Sequence, residues 1–265
     1  MYPFTYERAA SVEAAVKALA GDGDAKLLAG GQTLLPAMKL RLNAPSKLID
    51  LGKIAGLKGV EVTDDAVIVG AMTPHAAVAT SADVANAIPG LHELAALIGD
   101  PAVRHKGTIG GSIANNDPAA DYPAACLALG ATIFTDKREI KAGDFFKGLF
   151  ETALGEGEII TKVRFPRVEK SAYVKFRNPA SRFALVGVFV AKTKDGARVA
   201  VTGAGSSGVF RWKEAEAALD KAWGEASVAG LKAKADGLNV DIHADAAYRA
   251  HLIGVMTKRA VAAAK

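Results

Sequence analysis

The stretches KLLAGGQTLLP (residues 26–36) and KGTIGGSIANNDPAADYP (residues 106–123) decide how this chain is read. Each carries adjacent glycines, Gly30–Gly31 and Gly110–Gly111, in a turn that opens a segment able to form a helix. A residue without a side chain lets backbone N–H groups approach a phosphate closely, and a helix start behind it adds about half a positive charge. Either pair alone reads as an ordinary tight turn. Two of them in 265 residues, with hydroxyls beside them from Thr33, Thr108 and Ser112, suit a diphosphate held between two lobes.

Outward from these turns the pattern alternates. In SVEAAVKALA, Val12, Ala15, Val16 and Leu19 share one helical face, with Ser11 as N-cap and Gly21 as the stop. A short apolar run, Lys26 to Ala29, leads into the first glycine turn, and QTLLPAMKLRL begins a helix behind it. Strands are expected at SKLID, LKGVEV and DDAVIVGAM, then helices over 83–99 and 101–106 before the second glycine turn, which opens SIANNDPAADYPAACLALGA. After Leu129 the texture becomes strands at ATIFTD, KREIKAG and EIITKVRFP, closed by Pro166. Residues 172–203 read as a meander of YVKF, FALVGVFVA and ARVAVTG around the turn TKDG. The tail reads as helical over 212–235 and again from Ala244 to Ala263. The class is α+β, and the first 165 or so residues differ in style from the last hundred.

Composition narrows the function. Half the chain is hydrophobic and 23% is charged, enough to bury a core. No run reaches the roughly 20 apolar residues of a membrane span, and MYPFTYERAA has no secretory pattern, so a cytoplasmic address is expected. The 33 Lys and Arg are scattered among 28 acidic residues without interleaved aromatics, which argues against nucleic acid despite the net charge of +5. The single cysteine, Cys126, lies in an apolar run and reads as core, and one thiolate cannot hold an iron–sulfur cluster. His75, His92, His105, His243 and His251 show no ligand spacing, so no metal site is expected on this chain.

A rival motif, GAGSSG, places Gly203, Gly205 and Gly208 in the GxGxxG pattern after a strand. A dinucleotide fingerprint needs a second parallel strand ending in an acidic residue about 20 positions on. The helical reading of 212–235 leaves no room for one, so GAGSSG is taken as a strand-to-helix connection.

Along its whole length the chain resembles the medium, FAD-binding subunits of molybdenum hydroxylases, the xanthine dehydrogenase and aerobic carbon monoxide dehydrogenase medium-chain family. AGGQTLLP (29–36) is similar to that family's AGGxSLLP motif, and TIGGSIANNDPAAD (108–121) to its TIGGxxAxxDPxxD motif, in the same order and with Gly30 and Gly110 80 residues apart. Further likeness lies in LIDLGKI (48–54), EIITKVRFP (158–166), YVKFRNPASRFALVGV (173–188) and DIHADAAYRAHLIGVMTKRA (241–260). The resemblance implies a two-lobed FAD-binding domain of the vanillyl-alcohol-oxidase-like type over 1–168, with lobes of about 1–57 and 58–168. A smaller α/β domain over 169–265, like the C-terminal domain of the carbon monoxide dehydrogenase flavoprotein, would follow it.

It also implies residue roles. Leu28, Ala29, Gly30, Gly31, Gln32 and Thr33 would wrap the FAD pyrophosphate, with Thr108, Gly110, Gly111 and Ser112 forming the other half of the cradle. Asp121 would accept from FAD hydroxyls, Ile160 would pack on the isoalloxazine, and Lys175 would reach the flavin ring edge. Read from the strand pattern alone, Lys175 is equally an exposed strand lysine. The chain departs from the family pattern at Thr33, which keeps the hydroxyl, and at Asn115 and Asn116, which leave open how the adenine end is held.

The resemblance further implies partners: a small subunit with [2Fe–2S] clusters and a large subunit with the molybdenum cofactor, as a dimer of heterotrimers. Electrons would pass from the clusters through FAD to an external acceptor. Two other readings use the same residues. A self-contained flavin oxidase of the vanillyl-alcohol type needs a larger substrate domain, and a non-catalytic nucleotide-binding module needs no partner.

Overall fold

A computed structural model describes residues Met1–Lys265. The N-terminal region is a three-stranded parallel sheet of β1 (Thr5–Arg8), β2 (Lys26–Leu28) and β3 (Lys47–Asp50), in the order β1-β3-β2. Helix α1 (Val12–Ala20) begins where the Ser11 hydroxyl accepts from the Ala14 N–H at 3.1 Å, and α2 (Leu34–Lys39) follows the first glycine turn. Strand β1 has no counterpart in the sequence reading. All four of its residues are exposed, so no apolar alternation marks it, and backbone pairing to β3 holds it at the sheet edge.

The next region is a five-stranded sheet covered by helices. Its strands are β4 (Val60–Val62), β5 (Ala66–Gly70), β6 (Thr132–Thr135) and β7 (Glu139–Lys141) and, after a small hairpin of β8 (Phe146–Gly148) and β9 (Glu151–Thr152), β10 (Ile160–Pro166). Strand β10 returns to the centre of this sheet, antiparallel to β5 and β6. Helix α3 (His75–Ala79) precedes the helical stretch expected over 83–99, which is itself divided into α4 (Ala82–Ala87) and α5 (Pro89–Ala96), the latter with a proline in its first turn. Helix α6 (Pro101–Lys106) then leads to the second glycine turn.

The segment behind that turn is also divided, into α7 (Ile109–Asn115) and α8 (Tyr122–Leu129). Asn116 ends α7 in the left-handed conformation (φ 44°), and its amide donates to the carbonyls of Gly148 and Glu151, both at 2.8 Å. Cys126 is buried in α8, as expected, and burial pushes its thiol pKa up. A short helix, α9 (Ala142–Phe145), follows β7.

The expected meander is the third sheet: β11 (Lys170–Arg177), β12 (Ala184–Thr193) and β13 (Gly196–Thr202), extended by β14 (Phe210–Arg211), all antiparallel in sequence order. Strand β12 is buried over eight successive residues. Phe189 and Ala191 face one core, under α5 and α8, while Val186, Val188 and Val190 face a second core, under α10 (Lys213–Lys221) and α12 (Ala246–Ala263).

Two readings of the C-terminal region are corrected. GAGSSG is not a strand-to-helix connection: it is the turn between β13 and the antiparallel β14, with Gly203 at φ 81° and Gly208 at φ 100°. Residues 212–235 are not all helical either, because helix ends with α11 (Glu225–Val228) and 229–243 hold no regular element. Gly230 and Gly237 (φ 76°) break the pattern, while Leu231, Ala233 and Leu238 still pack on the second core. No helix is long and apolar enough to cross a membrane.

Candidate functional site

The two glycine turns meet. The bare Cα of Gly30 lies against the backbone of Lys106 and Gly107, and a Cβ there would stand 2.7 Å from the Gly107 Cα. Gly31 has φ 70°, which a side chain would strain. Gly110 packs on Ala71 and donates its N–H to the Ala71 carbonyl at 2.8 Å. Gly111 is the least crowded of the four: the nearest atoms to a Cβ there would be the Thr108 hydroxyl, a tight 3.1 Å, and the Ala29 Cβ at 3.6 Å. Thr108 caps α7 by accepting from the Gly111 N–H at 3.2 Å, while the Thr33 hydroxyl makes no capping bond to α2.

Between the turns lies a cavity of about 760 Å³. Leu28, Ala29, Gly30, Gly31, Gln32 and Thr33 line it, as do Thr108, Gly110, Gly111 and Ser112 and, beyond them, Asp121, Ile160 and Lys175. The structure thus brings together all thirteen residues given a cofactor role, from three separate sheets and the helices between them. Asn115 lines the cavity too, but the Asn116 amide is committed to the β8–β9 hairpin.

Lys175 is no exposed strand lysine. Its side chain is 2% exposed, and its ammonium donates to the Asp121 carboxylate at 3.0 Å and to the Leu97 carbonyl at 3.1 Å. Burial pushes the Asp121 carboxyl up, against the pull of the Lys175 charge and of a hydrogen bond from the Tyr173 hydroxyl. Glu158, at the cavity wall, is held by Arg138 at 2.9 and 3.0 Å, by the Gly155 N–H and by the Thr135 hydroxyl, and its pKa is pushed down to about 2, chiefly by the Arg138 hydrogen bonds.

The sequence reading assigned no role to His75, Tyr173 or Phe183. Phe183, 51% exposed, stands at the cavity wall beside Arg182, whose φ is 62°. The sequence signal was an aromatic residue isolated between the polar NPASR and the start of β12. His75 sits beneath the second turn, with Gly107 against its ring, and its Nδ1 is buried without a partner. Burial, reinforced by the Arg104 charge, lowers the His75 pKa to about 4.

Comparison with known proteins agrees with this geometry. Residues 2–168 match the family model described as the FAD binding domain in molybdopterin dehydrogenase. The carbon monoxide dehydrogenase medium chain of Hydrogenophaga pseudoflava is 36% identical to the chain, across 98% of this chain and 96% of its own. A subunit of the 6-hydroxypseudooxynicotine dehydrogenase complex of Paenarthrobacter nicotinovorans is 35% identical, across 98% and 94%. Among solved structures, that of quinoline 2-oxidoreductase from Pseudomonas putida 86 superposes with a TM-score of 0.89 at 30% identity, covering 99% of this chain and 97% of that one. The chain is therefore a flavoprotein component of an oxidoreductase, with FAD as its cofactor. It belongs to the FAD-binding medium subunits of the molybdenum hydroxylases, the family of the carbon monoxide and xanthine dehydrogenase FAD subunits.

Two outcomes follow from the site. Gly111→Val should give folded protein whose Kd for FAD, measured by titrating the apoprotein, rises more than about tenfold, a weakening of about 1.4 kcal/mol or more. An unchanged Kd would show that the cofactor does not pass Gly111. His75 is neutral when folded, whereas its unfolded-state pKa is near 6.5. Its contribution to stability is therefore complete above about pH 6.5 and is lost as pH falls toward about 4, by an amount of the order of 3 kcal/mol. Urea midpoints between pH 7 and pH 4.5 should show this decline in the native chain, and a flatter one in His75→Gln.

Proposed function

We propose that this chain relays electrons within a larger molybdenum hydroxylase, receiving them from [2Fe–2S] clusters of a small partner subunit and passing them through FAD to an external acceptor. The observation that carries this reading is the cavity itself: two glycine turns in contact at one place, and a buried Lys175 ammonium on its wall. FAD, when bound, supplies the electron-transfer chemistry, and the chain supplies position and charge.

In this reading Ala29 to Thr33, with Leu28 beside them, and Thr108, Gly110, Gly111 and Ser112 hold the pyrophosphate. The place of the bare Gly111 on the cavity wall and the uncapped Thr33 hydroxyl support that role. Asp121 accepts from a cofactor hydroxyl: a carboxylate has about four acceptor sites, of which Tyr173 and Lys175 use two. Ile160 offers an apolar wall to the isoalloxazine, and Lys175 directs its charge at the ring edge. The lobes of the FAD domain meet at the glycine turns, in the manner of the vanillyl-alcohol-oxidase-like fold, with the division from the C-terminal domain near residue 168. The lack of a thiolate set on this chain calls for partners: the small cluster subunit and a large subunit with the molybdenum cofactor, as a cytoplasmic dimer of heterotrimers.

The test has two parts. Purified chain should be yellow, bleach on reduction and release about one FAD per chain into the supernatant on acid precipitation, as expected for one diphosphate in one cradle. From its native cell it should be isolated with two further subunits, molybdenum and iron. A lone chain that reduces its flavin with an organic substrate, free of both metals, would instead establish the self-contained oxidase.

A further inference from the structure

We infer that Tyr173, Asp121 and Lys175 form a buried charge triad that sets the reduction potential of the bound flavin, with Tyr173 and Asp121 as positioning residues for the Lys175 ammonium. This inference rests on the reading that Lys175 faces the flavin.

The three side chains form one chain of contacts. The Tyr173 hydroxyl donates to one Asp121 oxygen, and Lys175 donates to the other at 3.0 Å. All three are buried, Lys175 and Asp121 line the cavity, and Tyr173 does not. An ammonium has three donors. Asp121 and the Leu97 carbonyl take two, which leaves one uncommitted on a group at the cavity wall.

The surroundings are built for this arrangement. Gly187 on β12 is the cross-strand partner of Lys175, and a Cβ at Gly187 would overlap the Tyr173 hydroxyl, so only glycine lets that hydroxyl reach Asp121. The loop that delivers Asp121 is anchored from β13. The Thr202 hydroxyl donates to the Ala120 carbonyl at 2.6 Å, and the Gly203 N–H donates to the Pro118 carbonyl at 2.8 Å. Tyr173 and Lys175 come from one strand and Asp121 from a loop 54 residues earlier than Lys175, so the third sheet fixes both ends of the triad.

The consequence is electrostatic. A cation beside the flavin stabilises the negative charge that reduction places there, and each neighbour that neutralises the cation weakens the effect. Asp121 opposes Lys175. Tyr173 spreads part of the Asp121 charge through its hydrogen bond, and so leaves the field of Lys175 at the flavin less opposed. A pair that only tied the Asp121 loop to β11, away from the flavin, would leave the potential untouched.

The measurement is the flavin midpoint potential by reductive titration against a reference dye, with FAD content determined separately in the same preparations. Lys175→Gln should lower the potential and Asp121→Asn should raise it. Each should move the reduction equilibrium constant about tenfold or more, the scale of one charge at a few ångströms in a partly buried site. Tyr173→Phe, which removes no atom from the cavity wall, should lower the potential by less than Lys175→Gln. If Asp121→Asn or Lys175→Gln sheds FAD, Tyr173→Phe decides the matter, since it leaves the cavity lining intact. Full FAD content with an unmoved potential in Tyr173→Phe overturns the triad and leaves the FAD reading standing. A wild-type chain that binds no FAD overturns both.

Discussion

The cavity exists because two turns can touch. At Gly30 the backbone of the first turn lies directly on that of Lys106 and Gly107, a closeness that any side chain would forbid. That contact sets the spacing between the parallel β1-β3-β2 sheet and the five-stranded sheet, and with it the width of the space between them. The remaining glycines divide the work. Gly110 lets α7 sit on Ala71, Gly31 permits a left-handed turn, and Gly111, the least crowded, borders the cavity beside the Thr108 hydroxyl. A motif of paired glycines thus combines packing requirements with a ligand-facing one, and the packing requirements are the more numerous.

Charge is handled differently on the two sides of the cavity. On one side Glu158 is gripped by Arg138 and two further donors, a closed arrangement that steadies the segment leading into β10. On the other side Lys175 and Asp121 are both nearly inaccessible to water, where an unpaired charge would be costly. Their pairing meets that cost and still leaves donor capacity at the cavity wall. His75 adds a neutral ring under the second turn, kept neutral by the same desolvation that raises the Asp121 pKa.

Much of this was legible in the sequence where local chemistry is strong. The two glycine turns, the Ser11 cap, the strand EIITKVRFP and the meander over 172–203 follow from residue type and period alone, while Asp121, Ile160 and Lys175 were singled out only through the family resemblance; all of these cofactor candidates line one cavity. What the sequence hid depends on tertiary context. Strand β1 carries no apolar face, so only its backbone partner reveals it. Residues 229–235 are rich in the helix formers Ala, Leu and Lys, but Gly230, Gly237 and the packing of Leu231 and Leu238 hold this stretch irregular. GAGSSG looks like a phosphate turn and is a bend between antiparallel strands, which periodicity alone cannot reveal. The burial of Lys175 and its link to Tyr173 depend on a loop arriving from Asp121, and no single window of sequence contains both.

Strand β12 is a shared wall: Phe189 and Ala191 belong to one core and Val186, Val188 and Val190 to the other. Adding or deleting one residue within it would exchange the two faces at once, turning phenylalanine into the space shaped for valine on one side and valine into the space shaped for phenylalanine on the other. Length variation here has no neutral direction. An insertion is tolerated where the chain reads onto neither core, as at the TKDG turn over 193–196, while β12 accepts change only by substitution at constant length.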